Sequence, residues 1–527
     1  MKKLAAFLFA FISVLTACSN NDNSPEEITL RPVAGLSSAN DLTVEADAIS
    51  ATFTVATPEK PSVESPASWL KVSSSAPDAS NISTITLSFD ANTSNEARST
   101  ILSVSARNQR FQVTFTQKSA PEEVTPDPEN PSKSYEPWIN PDPCEIGGAN
   151  AREVALSLGV GWNLGNQMDA HANGVADETC WGNPKATQQL FDVLKATGFS
   201  TVRIPVTWLG KFGEAPDYKI DQDWLNRVVE LVGMAEKAGL NAIVNMHHDG
   251  GDSKYWLNII EAAKNPAKNE EIKAQIAAMW TQIAEAMKDK GNFLMFESFN
   301  EIHDGKWGWG DNRSDGGKQY KALNEWNQTF VDAVRATGGN NASRWLGVPS
   351  YVTNIDLACD GSMILPTDPA QKVMVAVHFY DPNDFCLTAK ASDWGHTGDN
   401  AKKGSSIQDE DHIRNQFAKL TNYWVNKNVP VYIGESGPCN NTSDRANTFR
   451  TYYLEYIHRA AREAGLALIY WDNGAVGNGE EKFGMFNHAN GNILNKSEAA
   501  IKAMLTGGTC RDEDYNLSVI YNNAPNF

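Results

Sequence analysis

Eight short apolar segments beyond Trp138 constrain the fold of this chain more than any other feature. They recur at intervals that are too long for a hairpin and that suit a helix between successive strands. Eight parallel strands joined by crossover helices close into a (β/α)8 barrel, with its active site at the carboxyl ends of the strands. The predicted strands are Gly159 to Asn166, Thr201 to Trp208, Ala242 to His248, Phe293 to Glu301, Trp345 to Val348, Val373 to Tyr380, Val431 to Glu435 and Ala467 to Trp471.

The stretches between these strands are predicted helices, so the C-terminal part belongs to the α/β class as a TIM barrel. A doubly wound open sheet is the alternative, but no GxGxxG motif follows the first strand, and the number of strands suits closure. The predicted helices include Lys185 to Thr197, Trp224 to Ala238, Glu270 to Lys288, Tyr320 to Ala336, Asp411 to Asn426 and Ala446 to Ala464.

The N-terminal part is Ser/Thr-rich and alternates apolar and polar residues, as in Ile85 to Phe89 and Phe111 to Phe115. This period of two predicts half-buried antiparallel strands and hence a small all-β, Ig-like sandwich. The Pro- and acid-rich segment that follows has almost no large apolar residue and predicts an extended linker. The predicted domains are the sandwich at 28–118, the linker at 119–137, the barrel at 138–507 and a C-terminal tail at 508–527.

The first residues have the layout of a secretion signal, because Lys2 and Lys3 precede an apolar run that is too short to span a membrane. The run ends in LTAC, which resembles a bacterial lipobox. It predicts a signal peptide at 1–17, lipidation of Cys18 and a polar tether at 18–27. We therefore expect a secreted lipoprotein at the outer membrane or cell surface of a Gram-negative bacterium, held to the membrane only by this lipid. A plain signal peptide with a chance cysteine is the alternative.

The net charge of −19 argues against a nucleic-acid partner, because a polyanion would be repelled. A neutral ligand is compatible with it. We expect a monomer that uses no cofactor. An oxidising compartment permits disulfides, but the remaining cysteines allow too many pairings to select one. They are Cys144, Cys180, Cys359, Cys386, Cys439 and Cys510.

Polar side chains stand where the apolar bodies of the predicted strands end. Barrel interiors are normally filled with branched aliphatic residues, so a ring of His, Asn, Glu and Tyr at one end destabilises the fold and indicates function. For any single member, a hydrogen-bonded structural role is the alternative. The set comprises Asn163, Asn166, Arg203, His247, His248, Asn300, Glu301, His378, Tyr380, Glu435 and Trp471.

Two of these residues are carboxylates, which is what hydrolysis of a glycosidic bond requires. We expect Glu301 to end the fourth strand and Glu435 the seventh, and these strands face each other across a closed barrel. Glu297 is the competing acid, but it lies deeper in its strand. An ion pair with Arg203, or a place in a polar bottom layer, is its expected role.

The motifs VRIPVTW, VNMHH, FESFNE, VAVHFY, IGES and IYWDNG, in this order, resemble glycoside hydrolase family 5. The resemblance covers Gly159 to Trp471. GWNLGNQMDA followed by ETCWGNP is similar to subfamily 4, which contains endo-β-1,4-glucanases, lichenases and xyloglucanases. By this resemblance Glu301 is the general acid/base and Glu435 the nucleophile of a retaining double displacement.

The resemblance also implies supporting roles. Asn300 would bind the sugar 2-hydroxyl, Arg203 and Tyr380 would keep the nucleophile ionised, and His378 would assist the acid/base. The residues expected to bind substrate beside them are His247 and His248 in the neighbouring sugar subsite, Trp471 under the reacting ring, and Asn166.

Four tryptophans fall in the loops on the active-site side of the barrel. Their flat apolar faces suit stacking on pyranose rings, which predicts several sugar subsites, while bracing of long loops is the alternative. In the first loop, Asp169 and His171 either contact sugar or hold the loop. The tryptophans are Trp181, Trp256, Trp307 and Trp309.

The sequence His247-His248-Asp249 raises the question of a metal site. We predict none, because adjacent strand residues point to opposite faces and no third ligand follows at a suitable spacing. The polar segment Asp399 to Asp411 is predicted to be a surface loop, with calcium binding as the alternative.

The N-terminal module, with Trp69-Leu70-Lys71-Val72 and strands over Leu30 to Gln117, resembles the BACON domain. Its aromatic residues fit the buried face of a sandwich, so we expect a spacer rather than a sugar-binding module, which would need exposed apolar platforms. These residues are Phe53, Phe89, Phe111 and Phe115.

The function that the resemblance implies is a retaining endo-β-1,4-glucanase, with xyloglucan expected first and mixed-linkage glucan next. A β-mannanase or xylanase on the same barrel is one alternative. A non-catalytic glycan-binding lipoprotein is the alternative from another class, and it is disfavoured because a binder has no use for both Glu301 and Glu435.

Overall fold

A computed structural model of the chain describes residues 29–119, 133–399, 409–441 and 443–526, apart from positions 38, 39, 45, 47, 93 and 95. The predicted signal peptide, the tether with Cys18 and most of the predicted linker lie outside these residues. Contacts divide the chain into two compact units, 1–133 and 134–527, and this division falls within the predicted linker. The finer domain limits stay predictions.

The described residues of the N-terminal unit form eight strands: β1 (Arg31–Ala34), β2 (Asp41–Val44), β3 (Ser50–Ala56), β4 (Ser62–Glu64), β5 (Leu70–Ser74), β6 (Ile82–Phe89), β7 (Arg98–Ala106) and β8 (Gln109–Gln117). They form two four-stranded sheets in the orders β1-β3-β6-β5 and β2-β8-β7-β4, so the predicted sandwich is confirmed. The expectation of purely antiparallel pairing is wrong for β2, which runs parallel to β8. These two strands are far apart in the chain, so no hairpin fixes their relative direction.

The core of the sandwich lies between its two sheets, because alternate residues of each long strand point inward. In β6, Ile85 and Leu87 are fully buried, while the intervening residues are partly or fully exposed. Phe111, expected on the buried face, is only half-buried because it lies near the start of its strand. Among the described residues of this unit no aromatic side chain is exposed. This supports a spacer role, which stays a prediction.

The C-terminal unit is built on β9 (Val160–Asn163), β12 (Thr201–Ile204), β13 (Asn241–Val244), β14 (Leu294–Glu297), β15 (Leu346–Pro349), β16 (Val373–Phe379), β17 (Val431–Ser436) and β18 (Ala467–Tyr470). All eight pair in parallel and close into a barrel in chain order, with β18 bonded to β9. The predicted TIM barrel is therefore confirmed. A small hairpin of β10 (His171–Ala172) and β11 (Val175–Ala176) lies in the first loop.

Helices surround the barrel, and side chains and glycines mark many of their ends. Asp221 caps one helix by accepting the N–H of Trp224, and Gly239 ends the same helix in a left-handed conformation that glycine adopts without strain. The helices are Ala151–Ser157, Gln188–Thr197, Gln222–Ala238, Ile259–Lys264, Pro266–Ala286, Lys318–Ala336, Ile355–Cys359, Asn383–Cys386, Glu410–Tyr423, Asp444–Ala464, Glu498–Thr509 and Leu517–Asn522.

Several strands are shorter than predicted, and the difference falls at the carboxyl ends where the polar residues stand. β14 ends at Glu297, so the expectation that Glu301 ends the fourth strand is wrong by four residues. The backbone of Ser298 still donates to Gly347, but the regular ladder stops there. Beyond this point the backbone hydrogen bonds become irregular, as where the N–H of Asn300 donates to the carbonyl of Met246, and the chain leaves the barrel wall as a loop.

The segment after residue 507, predicted as a tail, continues the preceding helix to Thr509 and then forms the helix Leu517–Asn522. Tyr515 is buried, and its hydroxyl donates to Glu455. In the described part of the chain, no helix has both the length and the apolar character needed to cross a membrane.

Candidate active site

Arg203 of β12 lies at the centre of a hydrogen-bonded network at the carboxyl end of the barrel, and it is fully buried. Its Nη1 donates to Glu435 Oε1 at 2.8 Å and to Asn163 Oδ1 at 3.0 Å. Its Nη2 donates to Asn300 Oδ1 at 2.8 Å and to Glu297 Oε1 at 2.6 Å. One guanidinium thus fixes side chains from three strands, β9, β14 and β17, and from the loop after β14.

Glu297 forms a polar layer beneath this centre, as predicted, and its ion pair with Arg203 is confirmed. Asn245 Nδ2 and the hydroxyl of Tyr432 also donate to it, at 2.8 and 2.6 Å. Burial opposes its charge, but Arg203 prevails and lowers the pKa of Glu297. A buried carboxylate that is this fully paired is structural rather than catalytic.

Glu435 lies in β17 and is buried. Besides Arg203, the hydroxyl of Tyr380 donates to its Oε2 at 3.0 Å. The pairing of β16 with β17 shifts between Val377 and His378, and beyond the shift His378 lies opposite Glu435. Such irregularities often redirect side chains at active sites, and here the shift places the imidazole against the carboxylate.

Glu301 reaches the same place from the loop after β14. His378 Nδ1 lies 2.7 Å from Glu301 Oε1 and 3.6 Å from Glu435 Oε2. The hydroxyl of Thr353 lies 3.4 Å from the same Oε1. One oxygen of Glu301 and one of Glu435 are within 4.8 Å of each other. The two carboxylates, 134 positions apart in the sequence, therefore face one small volume.

The two carboxylates are electrostatically unequal. Burial raises the pKa of Glu435, and the neighbouring Glu301 adds to this effect, while His378 and Arg203 oppose it. Burial also opposes the charge of Glu301, but the hydrogen bond and the charge of His378 outweigh it, and the pKa of Glu301 lies below its usual value. Since each carboxylate affects the other, they titrate as a pair.

A sequence model described as cellulase, glycosyl hydrolase family 5, matches residues 166–477, which is more than half of the chain. The match spans Arg203, Glu301 and Glu435. The chain belongs to glycosyl hydrolase family 5. It is a glycoside hydrolase, as the sequence motifs predicted. The N-terminal resemblance is confirmed as well, since BACON, described as a putative N-terminal binding domain, matches residues 57–118.

Endoglucanases are among the proteins to which this chain is similar. Endoglucanase A of Paenibacillus barcinonensis is 35% identical over 373 residues, which cover 68% of this chain and 90% of the relative. The structure of a GH5-4 broad specificity endoglucanase from Bacteroides salanitronis is 56% identical, with a TM-score of 0.67, and the match covers 69% of this chain and 97% of that one. A Bacteroides ovatus GH5 xyloglucanase, solved in complex with a XXXG heptasaccharide, is 28% identical, with a TM-score of 0.59, and covers 91% of this chain and 99% of its own.

Beside the catalytic pair, this family 5 hydrolase has a wall of histidines and one tryptophan. The ring of Trp471 is parallel to that of His247, with centroids 5.8 Å apart, and His247 Nε2 lies 3.8 Å from Glu435. His248 follows, with its Nε2 3.8 Å from Asp169 Oδ2. These positions agree with a sugar subsite next to the reacting bond, and the individual roles stay predictions.

The expectation that His247 and His248 point to opposite faces is wrong. Their rings lie 4.5 Å apart because β13 ends at Val244, so strand alternation no longer applies to them. The structure also supplies a third donor from the loop after β9, since Asp169, His247 and His248 each offer an atom within 4.8 Å of the others. The absence of a metal therefore stays a prediction.

Burial sets the protonation of this wall. It lowers the pKa of His248 to about 4 and that of His247 well below its usual value. It also raises the pKa of Asp169 to about 7, although the backbone N–H groups of Gln167 and Asn166 donate to that carboxylate. At neutral pH both imidazoles are uncharged, which suits hydrogen bonds with sugar hydroxyls.

Trp181 extends the wall outward. It is 41% exposed, and its ring lies 5.5 Å from His248 and 5.6 Å from His171. Its indole N–H donates to the backbone oxygen of His171, which fixes the ring plane. A flat aromatic face that is both exposed and fixed is suited to stacking on sugar.

The other three loop tryptophans differ from one another. Trp256 is half-buried and donates to Asp249, so it braces its loop. Trp307 is 57% exposed and packs on His303. Trp309 is the most exposed, and the guanidinium of Arg313 lies over its ring. Contact between these tryptophans and substrate stays a prediction.

Asn166 has a left-handed backbone with φ of +53°, and its carbonyl accepts from Asn183, whose amide also bonds to Asn473. In the described structure Asn166 thus shapes the first loop. The sequence reasoning missed four residues of the site, which are Asn183, Asn245, Tyr432 and Thr353. Asn183 and Asn245 stand in the motifs ETCWGNP and VNMHH, but the motifs do not show what these side chains contact. For Asp169 the sequence predicts sugar contact or loop support, and its approach to His248 is new.

Proposed function

We propose that this family 5 hydrolase is a retaining endo-β-1,4-glucanase that cleaves β-glucan by double displacement. The observation that carries the proposal is the approach of Glu301 and Glu435 to within 4.8 Å. Retaining glycosidases hold their carboxyl groups about 5 to 5.5 Å apart, whereas inverting ones need about 6.5 to 9.5 Å to admit a water molecule. The short separation supports retention.

The contacts of the two carboxylates support distinct roles. Arg203 is permanently charged, and burial raises the pKa of Tyr380 well above its usual value, so both groups always donate to Glu435. The contacts of Glu301 are of another kind, because an imidazole nitrogen and a hydroxyl can each donate or accept. This suits Glu435 as the nucleophile and Glu301 as the acid/base.

The pKa directions of the two carboxylates, raised for Glu435 and lowered for Glu301, are the reverse of those that the proposed roles require, so the assignment rests on their contacts and on how protonation of one changes the other. When a proton resides on Glu301, it removes one of the causes that raise the pKa of Glu435. Arg203 and Tyr380 then stabilise the anion of Glu435. The first step requires this state, with the proton on Glu301 and the negative charge on Glu435.

In the first step, Glu435 attacks the anomeric carbon while Glu301 gives its proton to the departing glycosidic oxygen, and a glycosyl ester of Glu435 results. In the second step, Glu301 takes a proton from water, the water oxygen attacks the same carbon, and Glu435 leaves as a carboxylate. Asn300 uses its Oδ1 for Arg203, so its amide N–H groups can face the sugar 2-hydroxyl. Two inversions restore the β configuration.

Xyloglucan is the substrate we propose first, and mixed-linkage glucan second. The support is the similarity to the Bacteroides ovatus xyloglucanase over 91% of this chain and to the broad specificity endoglucanase from Bacteroides salanitronis. Exposed aromatic faces at Trp181 and Trp307 support a cleft that contacts several sugars. β-Mannan and xylan are the alternative substrates.

The test is a panel of purified polysaccharides with analysis of the released oligosaccharides. We expect the highest kcat/KM on xyloglucan or mixed-linkage glucan, and we expect cleavage at internal bonds of the polysaccharide. Proton NMR during the first minutes should show the β anomer before mutarotation. Activity on mannan alone would overturn the substrate proposal, and an initial α anomer would overturn the mechanism.

We also propose that Cys18 anchors the enzyme by a lipid to the outer membrane of a Gram-negative bacterium, where it meets polysaccharide. The support is the LTAC ending of the apolar N-terminal run. Expression in such a host with labelled palmitate should give a labelled protein in the membrane fraction. The C18A variant should lose the label, and an unlabelled wild-type protein would contradict the proposal.

A further inference from the structure

Two consecutive residues in the loop after β15 have a backbone conformation that their side chains disfavour. Val352 has φ of +51° and Thr353 has φ of +52°. The left-handed region is costly for any residue with a Cβ, and for a β-branched one it is a true outlier. No other β-branched residue in the described ranges has a positive φ. Strain of this kind collects at functional sites, where the surrounding structure enforces it.

Hydrogen bonds on both sides of the turn hold this conformation. The N–H of Val352 donates to the carbonyl of Ile302 at 3.1 Å, which ties the turn to the residue next to Glu301. The N–H of Thr353 donates to the carbonyl of Ser350 at 2.9 Å. The turn is thereby fixed both to its own loop and to the segment that carries the acid/base.

The strained turn directs the Thr353 hydroxyl at Glu301. Thr353 is 1% exposed, and its Oγ1 lies 3.4 Å from Glu301 Oε1 and 2.6 Å from the carbonyl oxygen of Val352. A hydroxyl has one hydrogen and two lone pairs. Its hydrogen points to Val352 in this structure, and after rotation it can donate to Oε1 both when the carboxyl is ionised and when its proton resides on Oε2.

The contacts of Glu301 are one-sided. His378 and Thr353 both contact Oε1, and no residue in the described ranges forms a hydrogen bond with Oε2. An acid/base needs one oxygen held and the other open toward the glycosidic oxygen. The arrangement provides this division.

We infer that Thr353 is a positioning residue for the acid/base, holding Oε1 of Glu301 together with His378 so that Oε2 faces the leaving group in both protonation states. The inference rests on the proposed role of Glu301. It also explains why a costly backbone conformation occurs at this position. Thr353 itself does not touch the reacting atoms.

The test is the T353V variant, which removes the hydroxyl and keeps the shape and the β-branching of the side chain. Proton donation matters for a poor leaving group and little for a good one. Expected is a loss of roughly tenfold in kcat/KM on β-glucan, against less than about twofold on 2,4-dinitrophenyl β-cellobioside. T353S retains the hydroxyl and should restore both values to within about twofold of wild type.

T353A also removes the hydroxyl. Unlike T353V, it leaves the space empty and does not place a methyl group against the carboxylate of Glu301. Circular dichroism and thermal unfolding accompany all three variants. A dependence on the leaving group in either T353V or T353A supports the inference. Equal losses on both substrates in the folded variants, or no loss on either, would overturn it.

A separate experiment tests whether Glu301 is the acid/base. In E301A, added azide should restore turnover of 2,4-dinitrophenyl β-cellobioside and give the β-glycosyl azide, because azide replaces water without needing a base. If this rescue is seen while T353V and T353A show no dependence on the leaving group, only the inference about Thr353 fails. If no β-glycosyl azide forms, the assignment of Glu301 fails first.

Discussion

The surroundings of Glu435 and of Glu301 differ in kind, although their oxygens lie within 4.8 Å of each other. Around Glu435 are a buried guanidinium and a phenol, both of which donate permanently. Around Glu301 are His378 and Thr353, whose polar atoms can donate or accept. Glu435 lies within a barrel strand, whereas Glu301 lies in a loop.

This difference shows how two glutamates in one cleft can have different proposed roles, one as nucleophile and one as acid/base. A nucleophile has to remain an anion in a fixed place, which rigid strand geometry and permanent donors provide. An acid/base has to gain and lose a proton in each cycle, so partners that can reverse their own role suit it. Variants on each side of the pair should therefore fail in different ways.

The largest effect is expected at Glu435. E435Q should lose roughly 10⁴-fold or more in kcat on every substrate, because no leaving group compensates for a missing nucleophile. Calorimetry with a cello- or xyloglucan oligosaccharide should show binding within a few-fold of wild type. Hydrolysis that survives on an activated glycoside would contradict the assignment.

E301Q tests the other side of the comparison. It should lose about 10²- to 10⁴-fold in kcat/KM on β-glucan, since the leaving oxygen no longer receives a proton. On 2,4-dinitrophenyl β-cellobioside the loss in kcat/KM should be small, and E435Q serves as the matched control that loses both. Equal losses of E301Q on both substrates would remove the distinction between the two carboxylates.

His378 lies between the two sides and lowers the pKa of both carboxylates. In H378Q both pKa values should rise, so both limbs of the pH profile of kcat/KM should move to higher pH. The acidic limb follows ionisation of Glu435 and the alkaline limb follows loss of the proton from Glu301. H412Q is the control, because His412 contacts Asp381 and neither carboxylate. A shift to lower pH would contradict the prediction.

The smallest effect is expected at the outer wall. W181A should raise KM for β-glucan by roughly five- to tenfold, about 1 kcal/mol of stacking, and leave kcat within about twofold. W256A is the comparison, since Trp256 is anchored to Asp249 and should affect thermal stability more than KM. A fall in kcat with an unchanged KM for W181A would place Trp181 in the reaction centre instead.

The barrel was predictable because its signals are local. Apolar segments with helix-length spacing predict eight strands, and the polar residues at their ends indicate the active side of the barrel from the sequence alone. The positions of Glu301 and Glu435 could be inferred in the same way. The strand ends could not, since the regular ladder stops at Glu297 and Val244, where the sequence still looks extended.

Contacts between distant segments of the chain were harder to predict from the sequence. Asp169 meets His248, and Thr353 meets Glu301 across 52 positions, only because the loops fold over a closed barrel. The left-handed turn at Val352 and Thr353 contradicts the local preference of both residues, so no propensity argument predicts it.

The sequence by itself determined the sandwich, the eight-stranded barrel and the two carboxylates, because periodicity and residue type are properties of short segments. Only the tertiary structure decided which groups surround each carboxylate. Barrel closure brings Arg203 to Glu435 across 232 positions, and a register shift in β16 brings His378 between the two acids. These contacts depend on the pairing of all the strands at once, which no single segment encodes.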